Sequence, residues 1–210
     1  MARYIEPKCK LCRREGVKLF LKGSRCGTVK CSIIKKKSMP GQKSKARRGR
    51  KLSDYGIHFR EKQKLKRFHG IFERQFKNYF TKAERQKGNT GENLLLLLER
   101  RLDNVLFLVG YGFSRSHARQ IINHGHITVN NRKVDIPSFL VKPGDVIKPI
   151  NKEDSINMIK LNLNSNKKEK LPFWLEMRDD ALEVCVRQLP VRDEVSINIQ
   201  EQLVVELCSK

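Results

Sequence analysis

The 210-residue sequence lacks any long hydrophobic run. No wholly apolar run is longer than the one from Leu94 to Leu98, which is far short of the ~20 residues that span a bilayer. The first residues also lack the apolar core of a secretion signal. The sequence therefore predicts no membrane partner, and we expect the six cysteines to be reduced thiols or metal ligands, not disulfides.

Catalytic motifs are missing from the sequence as well. No glycine-rich phosphate loop precedes a Lys-Ser or Lys-Thr pair, and the five histidines show no nucleophile–base arrangement. The sequence therefore predicts neither an enzyme nor a small-molecule substrate.

Acidic residues are scarce beside basic ones. Lys and Arg number 45 against 22 Asp and Glu, which gives a net charge of +23. So basic a chain is expected to bind a polyanion, and nucleic acid is favoured over acidic lipid because no segment is membrane-seeking. Residues 1–93 carry +21 of this charge, residues 94–150 carry +4, and residues 151–210 carry −2. We therefore expect the basic N-terminal region and the tail to have different partners.

The spacing of apolar residues predicts an α+β protein. Predicted helices cover residues 54–69, 71–87, 92–109 and 114–123, and residues 196–209 are predicted to form a last helix or strand, with helix favoured. Apolar alternation predicts short strands on both sides of Asn130-Asn131 and after Pro143-Gly144. Residues 151–170 are predicted to be loop, and Trp174 to Met177 with Leu182 to Arg187 are predicted to form a hairpin.

Four of the six cysteines fall within the first 31 residues. They form two close pairs, Cys9-x2-Cys12 and Cys26-x4-Cys31, separated by a short loop. This spacing is typical of four thiolates around one tetrahedral Zn²⁺, and a closed four-sulfur set favours a structural ion over a catalytic one. An iron–sulfur cluster is the second candidate, and redox thiols or inert buried cysteines are the alternatives without metal.

Two basic clusters are candidate nucleic-acid contacts. On predicted helix 54–69 the cluster comprises Arg60, Lys64 and Arg67 in one row and Lys62 and Lys66 in the next, with Glu61 as the only balancing acid. The second cluster comprises Ser114, Arg115, Ser116, Arg119 and His124, with Arg132 and Lys133 from the following turn. Such clusters contact phosphates and recognise the backbone shape of structured RNA. The alternative for both is a solvated, charged helix face.

The chain resembles, from end to end, a family of bacterial ribosomal proteins: the fourth protein of the small subunit, in its zinc-binding, four-cysteine form. The residues that carry the resemblance are Met1-Ala2-Arg3-Tyr4 with the four cysteines, Leu52 to Gly56, Arg60 to Lys64, Arg101 to Val105, Ser114 to Val129, Pro143 to Val146, Pro172 to Glu176 and Leu203 to Leu207.

The resemblance implies a domain organisation. Residues 1–45 would form a zinc knot and basic arm. A mainly helical domain would comprise residues 46–91 and 190–210. An alpha-L RNA-binding module of helices and a small antiparallel sheet, with a C-terminal hairpin, would occupy residues 92–189.

The resemblance also implies partners. The expected ones are small-subunit rRNA at a junction in its 5′ domain, bound early so that assembly starts there, and the fifth small-subunit protein. The expected place is the cytoplasmic ribosome, beside the channel through which mRNA enters, with an effect on decoding accuracy. The basic stretch Arg47, Arg48, Arg50 and Lys51 lies near that channel in the family, so we expect it to contact RNA.

Two other functions remain as alternatives. An RNA-modifying enzyme could use such a module for targeting, although residues 151–210 are too few to hold a catalytic domain of roughly 150 residues. A non-ribosomal chaperone that rescues stalled complexes is the other alternative.

Overall fold

The computed structural model of the chain describes residues 4–35, 39–41, 52–166, 171–178, 182–195 and 197–209. Its packing divides the chain into two compact units. Unit 1 comprises Met1–Leu94 with Ile197–Lys210, and unit 2 comprises Leu95–Ser196. The domain limits expected from the sequence stay predictions. No helix in the described part of the chain is both long and apolar enough to cross a membrane.

Helices and short strands make up an α+β fold. The helices are α1 (Lys8–Glu15), α2 (Ser32–Lys35), α3 (Asp54–His69), α4 (Glu73–Glu84), α5 (Thr90–Glu99), α6 (Leu102–Val109), α7 (Arg115–Asn123), α8 (Glu153–Ser165) and α9 (Glu201–Cys208). The strands are β1 (Ile127–Val129), β2 (Arg132–Lys133), β3 (Val146–Pro149), β4 (Leu175–Arg178) and β5 (Glu183–Val186). Single 3₁₀ turns cover Gly23–Cys26 and Arg192–Glu194.

Helix α3 organises unit 1. The hydroxyl of Ser53 caps its first turn by accepting the Gly56 N–H at 3.2 Å, and Gly70 ends it in the left-handed region at φ 63°. These signals are local, and the prediction of a helix over 54–69 is confirmed. Its buried Leu65 and Phe68 face the core, and α9 packs along it.

The single helix predicted over 92–109 is wrong, because the structure breaks it in two. Arg101 leaves the helical region at ψ 136°, between α5 and α6. Backbone groups at the break pair with a distant segment: the Leu102 N–H donates to Phe139 and the Val141 N–H donates to Arg100. Leu98 and Leu102, four residues apart on either side of the break, are both buried. The helical spacing of apolar residues therefore continues across the break and gives no sign of it.

Unit 2 contains an antiparallel sheet in the order β2-β1-β3-β5-β4. Asn130 and Asn131 make the β1–β2 turn at φ 50° and 63°, values that asparagine tolerates better than most residues. Strand β1 pairs with β3, and β4 pairs with β5 through Leu175 and Val186. The predicted turn at Asn130-Asn131 and the hairpin predicted over residues 174–187 are confirmed, although the strand after the turn comprises Arg132–Lys133 and not the apolar residues that follow.

The loop predicted over 151–170 is wrong, because residues 153–165 form helix α8. Its buried face consists of Ser155, Ile159 and Asn162, which are spaced as a helix requires but are mostly polar. The Asn162 amide donates to the Tyr111 carbonyl at 2.9 Å, so burial does not leave it unsatisfied. Polar residues on the buried face conceal the helical period in the sequence.

Close packing of α7 against Gly112 generates a stability prediction. A Cβ added at Gly112 would lie 2.7 Å from the backbone nitrogen of Ala118 and 2.9 Å from its Cα, so α7 must shift. We expect Gly112→Ala to destabilise unit 2 by ~1–3 kcal/mol. Urea unfolding followed by the fluorescence of Trp174, which is buried and the only tryptophan, measures this.

Gly27→Ala is the matched control, because its Cβ would meet only the Ser24 carbonyl oxygen, at 3.5 Å. Since Gly27 lies in unit 1, circular dichroism, which reports on helices of both units, follows the unfolding of both variants. Equal unfolding midpoints for the two variants would contradict the steric argument.

Candidate nucleic-acid interface

Twelve of the predicted contact residues lie in the described part of the chain, and eight of these are on two elements. Arg60, Lys62, Lys64, Lys66 and Arg67 lie on α3, and Arg115, Ser116 and Arg119 lie on α7. Ser114 caps α7, His124 follows it, and Arg132 and Lys133 form β2. Arg47, Arg48, Arg50 and Lys51 lie outside the described residues.

The carboxylate of Glu15, at the end of α1, binds two of the α3 arginines. Arg60 and Arg67 both form ion pairs with it, and only 1% of the Glu15 side chain is exposed. Burial raises the pKa of the Glu15 carboxyl, and the two arginines act in the opposite direction. Burial likewise lowers the pKa of the Arg60 guanidinium. This ion-paired group joins the cysteine-rich segment to α3.

The α3 lysines are paired in the same way. Lys62 and Lys66 contact Glu73 of α4 at 2.6 and 2.5 Å, and Lys64 contacts Glu61 at 3.3 Å. Burial acts against ionisation of Glu73, but hydrogen bonds from the two lysines keep the pKa of its carboxyl below the usual value. The expectation that Glu61 alone balances this face is wrong, because Glu15 and Glu73 reach it from other helices.

The α7 arginines face α6. Arg115 is 5% exposed and donates from Nε to the Asn104 side-chain oxygen at 2.7 Å. Its guanidinium lies 4.4 Å from the centre of the Phe107 ring, and burial lowers its pKa to about 10. Arg119 donates to the Asp103 carboxylate at 2.6 Å.

Asp103 and Asn104 connect these arginines into a buried polar network. Asp103, 1% exposed, also accepts from Arg101 at 2.6 Å, and Arg101 is fully buried. The Asn104 amide donates to the Glu99 backbone carbonyl at 3.0 Å and to its carboxylate at 2.5 Å. The network therefore fixes the start of α7 against α6.

Sequence reasoning missed Glu99, Asp103 and Asn104. A signal was present, since Asp103 and Asn104 interrupt an apolar helix whose other residues are mostly buried. Polar residues in such positions predict an internal hydrogen-bond network, because buried polar groups need partners.

The remaining cluster residues face solvent around the start of the sheet. Ser116, His124, Arg132 and Lys133 are all exposed. The Ser114 hydroxyl accepts the His117 N–H at 3.3 Å, and Ser116 lies exposed in the first turn of α7. An exposed hydroxyl, imidazole and two cations can donate to phosphate oxygens without any base-reading helix.

The four N-terminal cysteines line one small cavity. Cys9 and Cys12 are one turn apart on α1, Cys26 ends the 3₁₀ turn, and Cys31 immediately precedes α2. The Lys22 N–H donates to the Cys26 sulfur at 3.4 Å. Burial raises the pKa of the Cys12 thiol, and the other three cysteines raise it further.

This donor set has the chemistry that a thiophilic ion requires. Within the described ranges, however, no group of three or more His, Cys, Asp or Glu side chains is arranged to hold a metal ion. All six cysteines are free of disulfides.

Comparison with known proteins places this geometry in context. Residues 3–99 match the family described as ribosomal protein S4/S9 N-terminal domain, and residues 100–147 match the S4 domain. The chain is 54% identical over 210 residues to small ribosomal subunit protein uS4 of Thermoanaerobacter sp. (strain X514) and 51% identical to that of Thermodesulfovibrio yellowstonii. In both cases the match covers all of both chains.

The Glu15 ion pairs generate a prediction. Glu15→Gln removes the carboxylate that faces Arg60 and Arg67, and leaves two partly buried guanidinium groups without it. We expect a loss of ~1–3 kcal/mol in unfolding free energy, with faster proteolysis of α1. Urea unfolding followed by circular dichroism checks the first effect, and limited proteolysis checks the second.

Glu84→Gln is the matched control, since Glu84 is exposed and forms no ion pair among the described residues. We expect this control to change stability by less than ~0.5 kcal/mol. Equal stability of the two variants would refute an anchoring role for Glu15.

Proposed function

This chain belongs to the uS4 family of small ribosomal subunit proteins, and from that premise we propose that it is a structural, non-enzymatic constituent of the cytoplasmic small ribosomal subunit that binds rRNA directly. The observation that carries the proposal is end-to-end similarity at 54% identity. The net charge of +23 supports it, because a polyanion compensates that charge.

Exposed cations and a rigid domain make different contributions to the proposed rRNA binding. The cations supply salt-dependent attraction to phosphates. The S4 domain recognises RNA shape, and its buried network keeps the exposed groups around α7 in fixed positions. Because Arg115 is buried against Asn104 and Phe107, we assign it the additional task of holding α7 in place.

The proposed rRNA contacts are those expected from the sequence. They are Arg47, Arg48, Arg50, Lys51, Arg60, Lys62, Lys64, Lys66, Arg67, Ser114, Arg115, Ser116, Arg119, His124, Arg132 and Lys133. Glu15 and Glu73 each pair with two cations of α3. Each group of two cations and one carboxylate keeps a net positive charge, so the ion pairs do not prevent attraction of phosphate.

We further propose where the protein acts in the subunit. It binds a junction in the 5′ domain of the rRNA early and so starts assembly. The basic stretch around Arg47 lies beside the channel through which mRNA enters. The tail, with a charge of −2 over residues 151–210, meets the fifth small-subunit protein, and this contact affects decoding accuracy.

The four-cysteine cavity is proposed to hold one structural Zn²⁺. Cys9, Cys12, Cys26 and Cys31 would supply four thiolates, and the bound ion would cross-link α1 to the segment that precedes α2. Support comes from the gathering of four sulfurs in one cavity and from the Lys22 N–H that donates to Cys26.

Sedimentation tests the proposed function. We expect the chain, expressed in bacterial cells, to co-sediment stoichiometrically with small subunits on sucrose gradients, and the pure protein to bind a small-subunit rRNA transcript with strong salt dependence. Substoichiometric association limited to stalled complexes would indicate a chaperone instead. Conversion of uridine in RNA by the pure protein would indicate a modifying enzyme.

Chelation tests the proposed ion. We expect freshly purified protein to contain about one zinc per chain. Chelation should expose residues up to about 40 to protease while the fluorescence of Trp174 stays unchanged, because the knot alone depends on the metal. Cys26→Ser should lose zinc, and Cys208→Ser should keep it. Zinc far below one equivalent in unoxidised protein would overturn the proposal.

A further inference from the structure

Helix α4 separates apolar from basic residues more completely than α3 does. Its buried face consists of Phe76, Tyr79, Phe80 and Ala83. Its opposite face, together with the residue that ends the helix, carries four exposed cations: Arg74, Lys77, Lys82 and Arg85. Residues spaced by three, four or eleven positions lie on one side of an α-helix, so these cations form a continuous surface. We call it the α4 basic face.

The α4 cations differ from those of α3 in their partners. All five α3 cations discussed above lie within 4 Å of a carboxylate. Within the described part of the chain, none of the four α4 cations forms an ion pair. The helix has two carboxylates of its own: Glu73 is engaged by Lys62 and Lys66, and Glu84 is exposed at the end of the helix. Like charges one turn apart repel, and one carboxylate cannot neutralise four cations, so the α4 basic face keeps a net positive charge in the protein alone.

The other exposed residues of α4 indicate the kind of partner. The other exposed residues of Glu73–Glu84 are Asn78, Thr81 and Glu84, none of them apolar, and the exposed Phe72 lies before the helix at its N-cap. Protein interfaces bury apolar or aromatic residues at their centre, and membrane-bound helices insert them. Lys, Arg, Asn and Thr together are instead the side chains that donate to phosphate oxygens.

We propose that the α4 basic face binds the phosphate backbone of small-subunit rRNA. This inference rests on the proposed rRNA-binding function and adds a surface to it. Phe76 and Phe80 anchor the helix in the core of unit 1, so the four cations are held in a fixed row.

The test measures how rRNA affinity depends on salt in the full-length protein, with a bacterial 5′-domain rRNA transcript as the probe. The variants Arg74→Gln/Lys77→Gln and Lys82→Gln/Arg85→Gln each remove two charges. Each should flatten the slope of log K against log[salt] by about 1.4–1.8. Lys152→Gln/Lys160→Gln, which removes two exposed charges from unit 2, is the equal-charge control and should change the slope by less than about 0.5.

A gain-of-charge variant keeps the test informative if the neutralised variants misfold. Asn78→Lys/Thr81→Lys adds two cations to the same exposed face and should steepen the slope by a similar amount, about 1.4–1.8. Circular dichroism verifies that each variant is folded. If the neutralised variants fail to fold, the result for Asn78→Lys/Thr81→Lys decides.

The outcomes separate this inference from the function on which it rests. If the unmodified protein does not bind rRNA, both are overturned. If it binds and the α4 variants keep the same slope, the α4 inference is overturned and the function stands. If the variants keep the slope but subunits containing them lose another ribosomal protein, the α4 basic face binds a protein instead, and the inference is equally overturned.

Discussion

Sharing of one carboxylate between two basic side chains is the interaction on which this structure depends. Glu15 pairs with Arg60 and Arg67, Glu73 with Lys62 and Lys66, and Asp103 with Arg101 and Arg119. A chain with 45 basic and 22 acidic residues cannot give each cation its own counter-charge. Sharing halves the number of acidic residues that are needed to pair these cations. Each of the three carboxylates contacts two basic side chains at different positions of the chain.

Sharing of carboxylates also affects how the protein attracts phosphate. A group of two cations and one carboxylate keeps a net positive charge, so it holds the fold and still attracts phosphate. Where such a group is buried, as at Asp103, it acts on function by fixing the helix that presents exposed residues such as Ser116. Where cations outnumber carboxylates, as on the solvent side of α4, four cations share the surface with the single exposed carboxylate of Glu84. The distribution of acidic residues therefore separates cations that also hold the fold from cations that have no carboxylate partner among the described residues.

Much of the fold was predictable because its signals are local. Ser53 and Gly70 delimit α3, Ser114 caps α7, and Asn130-Asn131 makes a turn, each through the residue's own hydrogen bonds or backbone preference. The break at Arg101 and helix α8 were not predictable, because residues 137–141 and the Tyr111 carbonyl supply the decisive partners. The same limit applies to the site. Residue type identified the basic clusters, but the pairing of Glu15 with Arg60, 45 positions away, exists only in the folded chain.

The break between α5 and α6 has a consequence for the order in which the chain folds. Nothing local ends α5 at Glu99, since the apolar period continues into α6. The hydrogen bonds that compensate for the break come from Pro137, Phe139 and Val141, roughly forty residues further along the chain. On a growing chain, residues 90–109 are therefore free to form one continuous helix until that segment has been synthesised. We expect the bend to form late and together with the sheet, because closing a long loop costs entropy that only the completed packing repays. The bend between α5 and α6 is thus expected only in chains whose whole domain has folded.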